Sequence, residues 1–451
     1  MPPRFDAPPL DCGVQAGGDV VIRGARVLDP RAGLDAVRDV VVREGRIAEI
    51  GEAPPAPEGA EVIDAEGLVA VPAFVDPHVH LRTPGREDEE DIGSGTRAAA
   101  AGGFCAILAQ PNTDPVVDTG SVLSALRERA RSEARIPTGF LAAVTVGQEG
   151  DALTEMAEMA ELGAAGFTDD GRPVARAGIL RKALQYQRLA GRLVALHEED
   201  PSLSGDGVMH EGSVSALLGM AGIPSISEST MIARDAQIAL YEDAAIHIQH
   251  LSARESVVAI EQAKAAGVAI TCEASPHHLC MTDEAVRSLD AGFKMNPPLR
   301  SEDDRHALIQ GLRSGAIDCV ATDHAPHARE EKEQPFEVAP MGVTGLETAF
   351  AALHTELVLP GVLDLAVLIA RMTAGGAPFG LPVPTLAPDS PANVALLDLG
   401  AEWQVGEAGF ESRSANCAFA GRSVTGRVRV TIAAGAVAYR ERSFAIGAVP
   451  A

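Results

Sequence analysis

Val75-Asp76-Pro77-His78-Val79-His80-Leu81-Arg82-Thr83-Pro84-Gly85 is the stretch from which the rest of the chain can be read. Two histidines stand one residue apart on an apolar run that reads as a buried strand, so both project from the same face of it. Arg82 follows two residues on, and Pro84-Gly85 ends the strand in a turn. Two imidazoles at a strand end suit the gripping of one cation, with a guanidinium beside it for an anion. The plain alternative is a strand carrying two hydrogen-bonded histidines, because His-x-His is a short pattern with many accidental matches. What separates the two is whether the rest of the chain supplies further ligands.

Downstream of Phe74 the sequence repeats one rhythm: apolar strand, loop, amphipathic helix. Strands are expected at 74–81, 104–110, 138–145, 164–168, 192–197, 245–250, 268–274 and 317–322, with helical patterns at 93–102, 121–134, 151–162, 175–190, 254–266 and 345–357. Eight strands alternating with helices predict a (β/α)8 barrel over 71–389. The segments 198–244 and 276–316 are longer than simple connections and should hold extra helices or active-site loops. Met156 and Met159 read as core filler. Upstream, 19–70 consists of short alternating bursts punctuated by glycine and proline, and the same texture returns over 390–445. Neither stretch has enough strands to bury a core alone, so the two chain ends are expected to form one small β-sandwich beside the barrel. Residues 1–18, rich in Pro, Gly and Asp, are expected to be a flexible N-terminal segment.

The totals narrow the function. A net charge of −26 argues against nucleic acid or an anionic membrane as partner. An anionic small-molecule substrate would need local cationic help, which draws attention to Arg82. The six cysteines form no C-x-x-C pair and read as reduced, buried thiols. The N-terminus carries no signal-peptide pattern, and no apolar run reaches bilayer length, so the chain is expected in the cytoplasm.

In a barrel of this kind chemistry sits where strands end and loops begin. The strand ends in order are His78 and His80; Phe167-Thr168-Asp169-Asp170-Gly171; His197-Glu198-Glu199-Asp200; His250-Leu251; Ser275-Pro276-His277-His278; and Asp323-His324-Ala325-Pro326-His327. Singly each has a bland explanation: Asp169-Asp170-Gly171 as a turn, His197 and His250 as core histidines, His277 and His278 as braces. Jointly they recur at the mouth-side end of successive strands, which the bland explanations do not account for. A cluster of His and Asp without Cys is of the type found in hydrolytic zinc sites.

The chain resembles the dihydroorotases of the amidohydrolase superfamily, specifically the long, class I bacterial type, from about residue 20 to 440. The resemblance is carried by Val75–Arg82, Gln110-Pro111-Asn112-Thr113, Phe167–Gly171, His197–Asp200, Ser275–Leu279, Lys294-Met295-Asn296-Pro297-Pro298-Leu299-Arg300, Ala321–His327 and Gly342-Val343-Thr344-Gly345-Leu346-Glu347-Thr348. It implies zinc, one or two ions per subunit with two favoured, held by His78, His80, Asp170, His197, His250 and Asp323. Many relatives bridge two metals with a carboxylated lysine at the end of strand four. No lysine is present in 163–170, and the resemblance places an aspartate there instead, at Asp170. That weighs against a hydantoinase or allantoinase, the nearest alternatives. Thr83 departs from the family, which more often has glutamate, and is expected to affect the loop more than the chemistry.

The activity implied is the reversible cyclisation of N-carbamoyl-L-aspartate to (S)-dihydroorotate. Asp323 would then move the proton, and Arg82 would clamp the substrate carboxylate beside His80. The resemblance adds Asn112 and His327 to the clamp and Asn296 at the ring amide. The loop 341–345, with Met341 and Gly342, is expected to line the pocket and to move with turnover. The family's habit is a homodimer, and association with aspartate transcarbamoylase is an open partnership. A non-catalytic scaffold for that enzyme is the remaining alternative, but it would be expected to lack ligands, and every ligand position is filled.

Overall fold

The computed structural model describes residues 5–15, 17–442 and 444. Residues 1–4 and 16 of the expected N-terminal segment, and 443 and 445 at the end of the second β-rich stretch, lie outside the described residues.

The centre of the molecule is a closed, all-parallel barrel. Its strands are Phe74–Val79, Phe104–Ala109, Thr138–Phe140, a single bridging residue at Phe167, Val194–Leu196, Ala245–Ile248, Ala269–Ala274 and Cys319–Val320. Phe167 joins the two halves by pairing with Ala142 on one side and Val194 on the other. The last strand returns to the first, with His80 N–H donating to His324 O at 2.8 Å. Buried on both faces, these strands read as near-continuous apolar runs, as parallel sheets do. The expected strand at 164–168 is thus one ladder position long, because Asp169 and Asp170 turn the chain away at once.

Helices alternate with the strands, and their ends follow local chemistry. Ile92–Ala101 starts at a capping box of Asp91 and Ser94, and Glu302–Ser314 at one of Ser301 and Asp304. Ala177–Ala190 stops at Gly191, which takes the left-handed conformation. The helical pattern expected over 345–357 begins only at Ala349–Leu353 and widens into a π turn over His354–Val358. Between 151 and 162 the helix is confined to Met156–Glu161, and both Met156 and Met159 are buried in the barrel core. The long connections hold the short helices Pro201–Ser204, Ser213–Leu218 and Pro276–Cys280.

The chain ends meet in one eight-stranded sheet that folds into a sandwich against the barrel. Val20–Asp29 pairs antiparallel with Leu34–Arg43, and Val69–Pro72 pairs antiparallel with Val394–Gln404 from the other end of the chain. Ile22, Val42 and Ile47 are buried together with Val394, Leu396 and Ile432. Val69–Pro72 then passes through Ala73 into the first barrel strand, so the sandwich feeds directly into the segment that carries His78.

The N-terminal residues depart from the expected flexible segment. Asp11 makes two backbone hydrogen bonds with Thr138, both 2.9 Å. Its carboxylate takes Arg127 at 2.7 Å and Arg131 at 3.1 Å. Asp11 thus pairs with two guanidiniums one helical turn apart, of which Arg131 also meets Glu128 at 2.8 Å. None of the six cysteines is paired; four are buried, and Cys12 and Cys280 are half-buried. No helix among the described residues is long and apolar enough to cross a membrane.

Candidate active site

Because the strands are parallel, their C-terminal ends open on one mouth, and six side chains from five of them meet there. His78, His80, Asp170, His197, His250 and Asp323 are all buried. His78 Nε2 lies 3.4 Å from Asp170 Oδ1 and 3.5 Å from Asp323 Oδ1. His80 Nε2 lies 3.1 Å from Asp323 Oδ1 and 3.5 Å from Asp170 Oδ2. His250 Nε2 approaches Asp170 Oδ1 to 3.4 Å, and His197 Nδ1 lies 2.9 Å from that same His250 nitrogen. Asp170 therefore sits at the centre of four imidazoles. Asp169 turns the other way, accepting hydrogen bonds from Val144 N at 2.8 Å and Thr145 N at 3.0 Å. Arg82, His250 and Asp323 all adopt positive φ, of 55°, 31° and 48°. Non-glycine residues held there cost about 1–3 kcal/mol each and persist where surrounding packing imposes them.

The electrostatics describe a pocket built for positive charge. Burial opposes ionisation of Asp170, but His78, His250 and His80 override it and hold the carboxyl well below its ordinary range. Burial likewise works against a charged His78, yet Asp170 and Glu273 push its pKa well above the usual value. Asp323 is shifted down against its burial by His80, His78 and His250. His78 Nε2 and Asp170 Oδ1 face each other, buried and without a hydrogen bond. Buried polar atoms left without partners are costly, and a cation held between them in place of a proton satisfies both. His78, His80 and Asp323 each offer a ligand atom within 4.8 Å of one another, as do His78, Asp170 and His250. The residues present fit a metal.

Two walls flank this cluster. On one side His80 Nδ1 is 2.8 Å from Asn112 Oδ1. Arg82, only 8% exposed, donates through Nε to Pro326 O at 3.0 Å, and that edge also faces Glu89 at 3.1 Å. Arg82 Nη2 lies 3.4 Å from His327 Nε2, which is itself 2.9 Å from Met341 O. Gly342 follows with φ +135°; a Cβ there would come within 2.8 Å of Ala325 Cβ and 2.9 Å of His327 Nε2, so only glycine fits. On the other side Asn296 Nδ2 donates to Glu199 Oε2 at 2.7 Å, next to His197. The predicted substrate residues thus fall into two groups: five gather around Arg82, and Asn296 meets Glu199 beside His197.

Several residues at the site have no role in the sequence reading. Glu273 accepts from His78 Nδ1 at 2.7 Å and contacts His247 Nε2 at 3.0 Å, and these histidines lower its pKa, against its burial, to about 2. Orienting a ligand histidine through its far nitrogen is a common support of metal sites. A lone carboxylate in the apolar strand Ala269–Ala274 is the signal that could have found it. Asp76 accepts from His78 N at 3.0 Å and Thr322 N at 3.2 Å, tying the first and last strand ends together; burial pushes its carboxyl up to about 7. His278, read as a brace, is one: its ring spans from Ser275 Oγ at 2.7 Å to Pro297 O at 2.9 Å.

Comparison with known proteins adds independent information. Residues 67–256 match the model of a family described as dihydro-orotase-like. The chain is 44% identical over 423 residues to a dihydroorotase of Geobacter sp. (strain M21), covering 94% of this chain and 99% of that one. It is 45% identical over 424 residues to a dihydroorotase of Pelotomaculum thermopropionicum, again covering 94% and 99%. Among solved structures, L-hydantoinase (dihydropyrimidinase) from Arthrobacter aurescens superposes with a TM-score of 0.83 at 24% identity, covering 93% of this chain and 96% of that one. Dihydropyrimidinase from Brevibacillus agri NCHU1002 does so at 0.82 and 24%, covering 94% and 96%. At that identity the structural likeness is one of fold: a barrel with a sandwich built from the chain ends.

Proposed function

This chain belongs to the dihydroorotase family, and from that premise we propose how its pocket interconverts N-carbamoyl-L-aspartate and (S)-dihydroorotate in pyrimidine biosynthesis. The observation that carries the reading is the adjacency of two chemistries: a metal-type cluster of imidazoles and carboxylates, and a buried Arg82 two residues beyond His80. The first suits opening of a cyclic amide, and the second suits a ring bearing a carboxylate.

A donor set of four histidines and two aspartates without thiolate favours zinc, with two ions per subunit. His78, His80 and Asp323 would hold one ion, His197 and His250 the other, and Asp170 would contribute a carboxylate to the set. When bound, such ions polarise the amide carbonyl and bring the pKa of water down to about 7. Asp323, held ionised by the imidazoles around it, takes the proton of the attacking water at a carboxylate oxygen. It delivers that proton to the departing ring nitrogen. In the biosynthetic direction it removes a proton from the carbamoyl nitrogen as that nitrogen attacks the side-chain carboxylate carbon; this proton and one from solution leave with a carboxylate oxygen as water.

Arg82 binds the substrate carboxylate. Pro326 O and Glu89 occupy its Nε, and the Nη groups, with Nη2 beside His327 Nε2, would meet the carboxylate. Asn112 and His327 complete the clamp, Asn296 takes the ring amide from beside His197, and Met341 and Gly342 close the side. An aspartate at position 170, where a lysine would be expected of a hydantoinase or allantoinase, agrees with the same reading. The protein works as a homodimer in the cytoplasm, and a complete ligand set makes a purely scaffolding role for aspartate transcarbamoylase unnecessary, while leaving room for association with it.

The test is hydrolysis of dihydroorotate by the purified protein before and after chelation, with metal counted on the same samples. Turnover that disappears with the metal and returns with zinc is expected. Turnover unaffected by complete metal removal would overturn the mechanism.

A further inference from the structure

We propose that Asn416 is a positioning residue for substrate binding, acting from a strap that the C-terminal strands lay over the barrel mouth. The proposal rests on the reading that His327 and Gly342 line the substrate pocket. The strap, residues 411–417, lies between the strands Val394–Gln404 and Ser423–Ala433 of the sandwich. Its course is set by two carboxylates of the barrel loops, Glu90 buried and Glu347 half-buried. Glu347 accepts from Glu411 N and Ser412 N, both at 3.0 Å. Glu90 accepts from Ser412 Oγ, from Arg413 N at 3.1 Å, and faces His324 Nε2 at 3.2 Å. Ser414 Oγ donates to Glu89 O at 2.7 Å, behind Arg82.

Asn416 is where this strap reaches the pocket wall. Its Oδ1 accepts from His327 N at 3.1 Å, and its Nδ2 donates to Ala325 O at 3.0 Å and Gly342 O at 3.2 Å. Its backbone carbonyl accepts from Thr344 N at 3.1 Å. One carboxamide therefore joins two pocket loops using one acceptor and two donors, a combination that neither a carboxylate nor a single hydroxyl can offer. The loops it joins touch directly: His327 Nε2 is 2.9 Å from Met341 O, and Gly342 has no room for a Cβ against His327. Lys332 adds a second tie from within the barrel, donating to Pro340 O and Gly342 O, both at 2.9 Å. The carboxylate end of the pocket is thus framed by a residue of the sandwich domain that does not touch the metal-type cluster. A displacement of about 1 Å in such a frame is worth about 100-fold in a binding or catalytic constant.

The test compares KM, kcat and bound metal for Asn416→Ala, His327→Ala and the double variant. Asn416→Ala should raise KM for dihydroorotate by about ten-fold or more while kcat stays within about three-fold and metal content is unchanged. In the His327→Ala background the same substitution should change KM by less than about three-fold, because the group being positioned is gone. An unchanged KM in Asn416→Ala, or the same multiple in both backgrounds, overturns the proposal. An unchanged KM in His327→Ala alone instead removes the pocket reading on which it rests. Should Asn416→Ala fail to fold, Asn416→Ser carries the test, since a serine hydroxyl is too short to span both loops; the same outcomes decide.

Discussion

Replacing Arg82 by methionine keeps most of the side-chain volume and removes the buried cation two residues beyond His80. Arg82 is 8% exposed, so its pair with a substrate carboxylate would form away from bulk water. Truncating one partner of a buried, hydrogen-bonded charge pair costs about 2–5 kcal/mol, or about 30-fold to more than 1,000-fold in affinity. Asn112 and His327 remain to hold part of the anion, which favours the lower half of that range. We expect KM for dihydroorotate to rise by about 30- to 100-fold. The protein itself should survive: Glu89 loses Arg82 but keeps Arg86, and Pro326 O loses one donor, a combined cost of about 1–3 kcal/mol. The assay pairs steady-state kinetics on dihydroorotate with competition by dihydrouracil, the same ring without the carboxylate, and with thermal unfolding. Affinity for dihydrouracil should be unchanged within about three-fold, since it makes no demand on a guanidinium. A KM that moves by less than about three-fold, or that moves equally for both rings, refutes the assignment of Arg82 to the carboxylate.

Two further expectations can be checked on the same preparation. Asp323→Asn should fold normally yet lose about 100-fold or more in turnover, and retention of more than about a tenth would remove Asp323 as the proton carrier. Glu347, whose carboxyl burial pushes up to about 7 in spite of the Glu411 and Ser412 backbone hydrogen bonds, binds its proton more tightly folded than unfolded. Its contribution to stability is therefore fully present at low pH and lost as pH rises toward 7, so wild-type melting temperature should fall across pH 4.5–7 more than that of Glu347→Gln. Parallel melting profiles for the two proteins would show that Glu347 does not titrate in that window.

How much of this was legible beforehand differs from residue to residue. His78, His80, Asp170, His197, His250 and Asp323 could be singled out because a parallel barrel exposes its strand ends in order, and each of these sits where an apolar run stops. Asp169 and Asp170 are distinguished in the sequence only by resemblance; in the fold Asp170 lies among the imidazoles and Asp169 is spent on Val144 and Thr145. Glu273 lay hidden inside a strand that reads as core. Asn416 had no local signal at all: it is 89 residues from His327, and its partners are backbone groups, which carry no side-chain signature. The pinning of Asp11 was missed because it depends on Arg127 and Arg131 falling on one helix face turned toward the chain start.

By itself, the amino-acid sequence determined the alternation of strand and helix, the pairing of the two β-rich ends, and the identity of the ligand types, because hydrophobic period and residue chemistry are local properties of the chain. Tertiary structure alone decided which polar groups face one another: that Arg82 shares its buried edge with Glu89 and Pro326, that Asn296 meets Glu199 beside His197, and that Asn416 of the sandwich bonds Ala325 O and Gly342 O. Those are matters of hydrogen-bond direction across a few ångströms between segments far apart in sequence, and only the closed barrel brings them within reach.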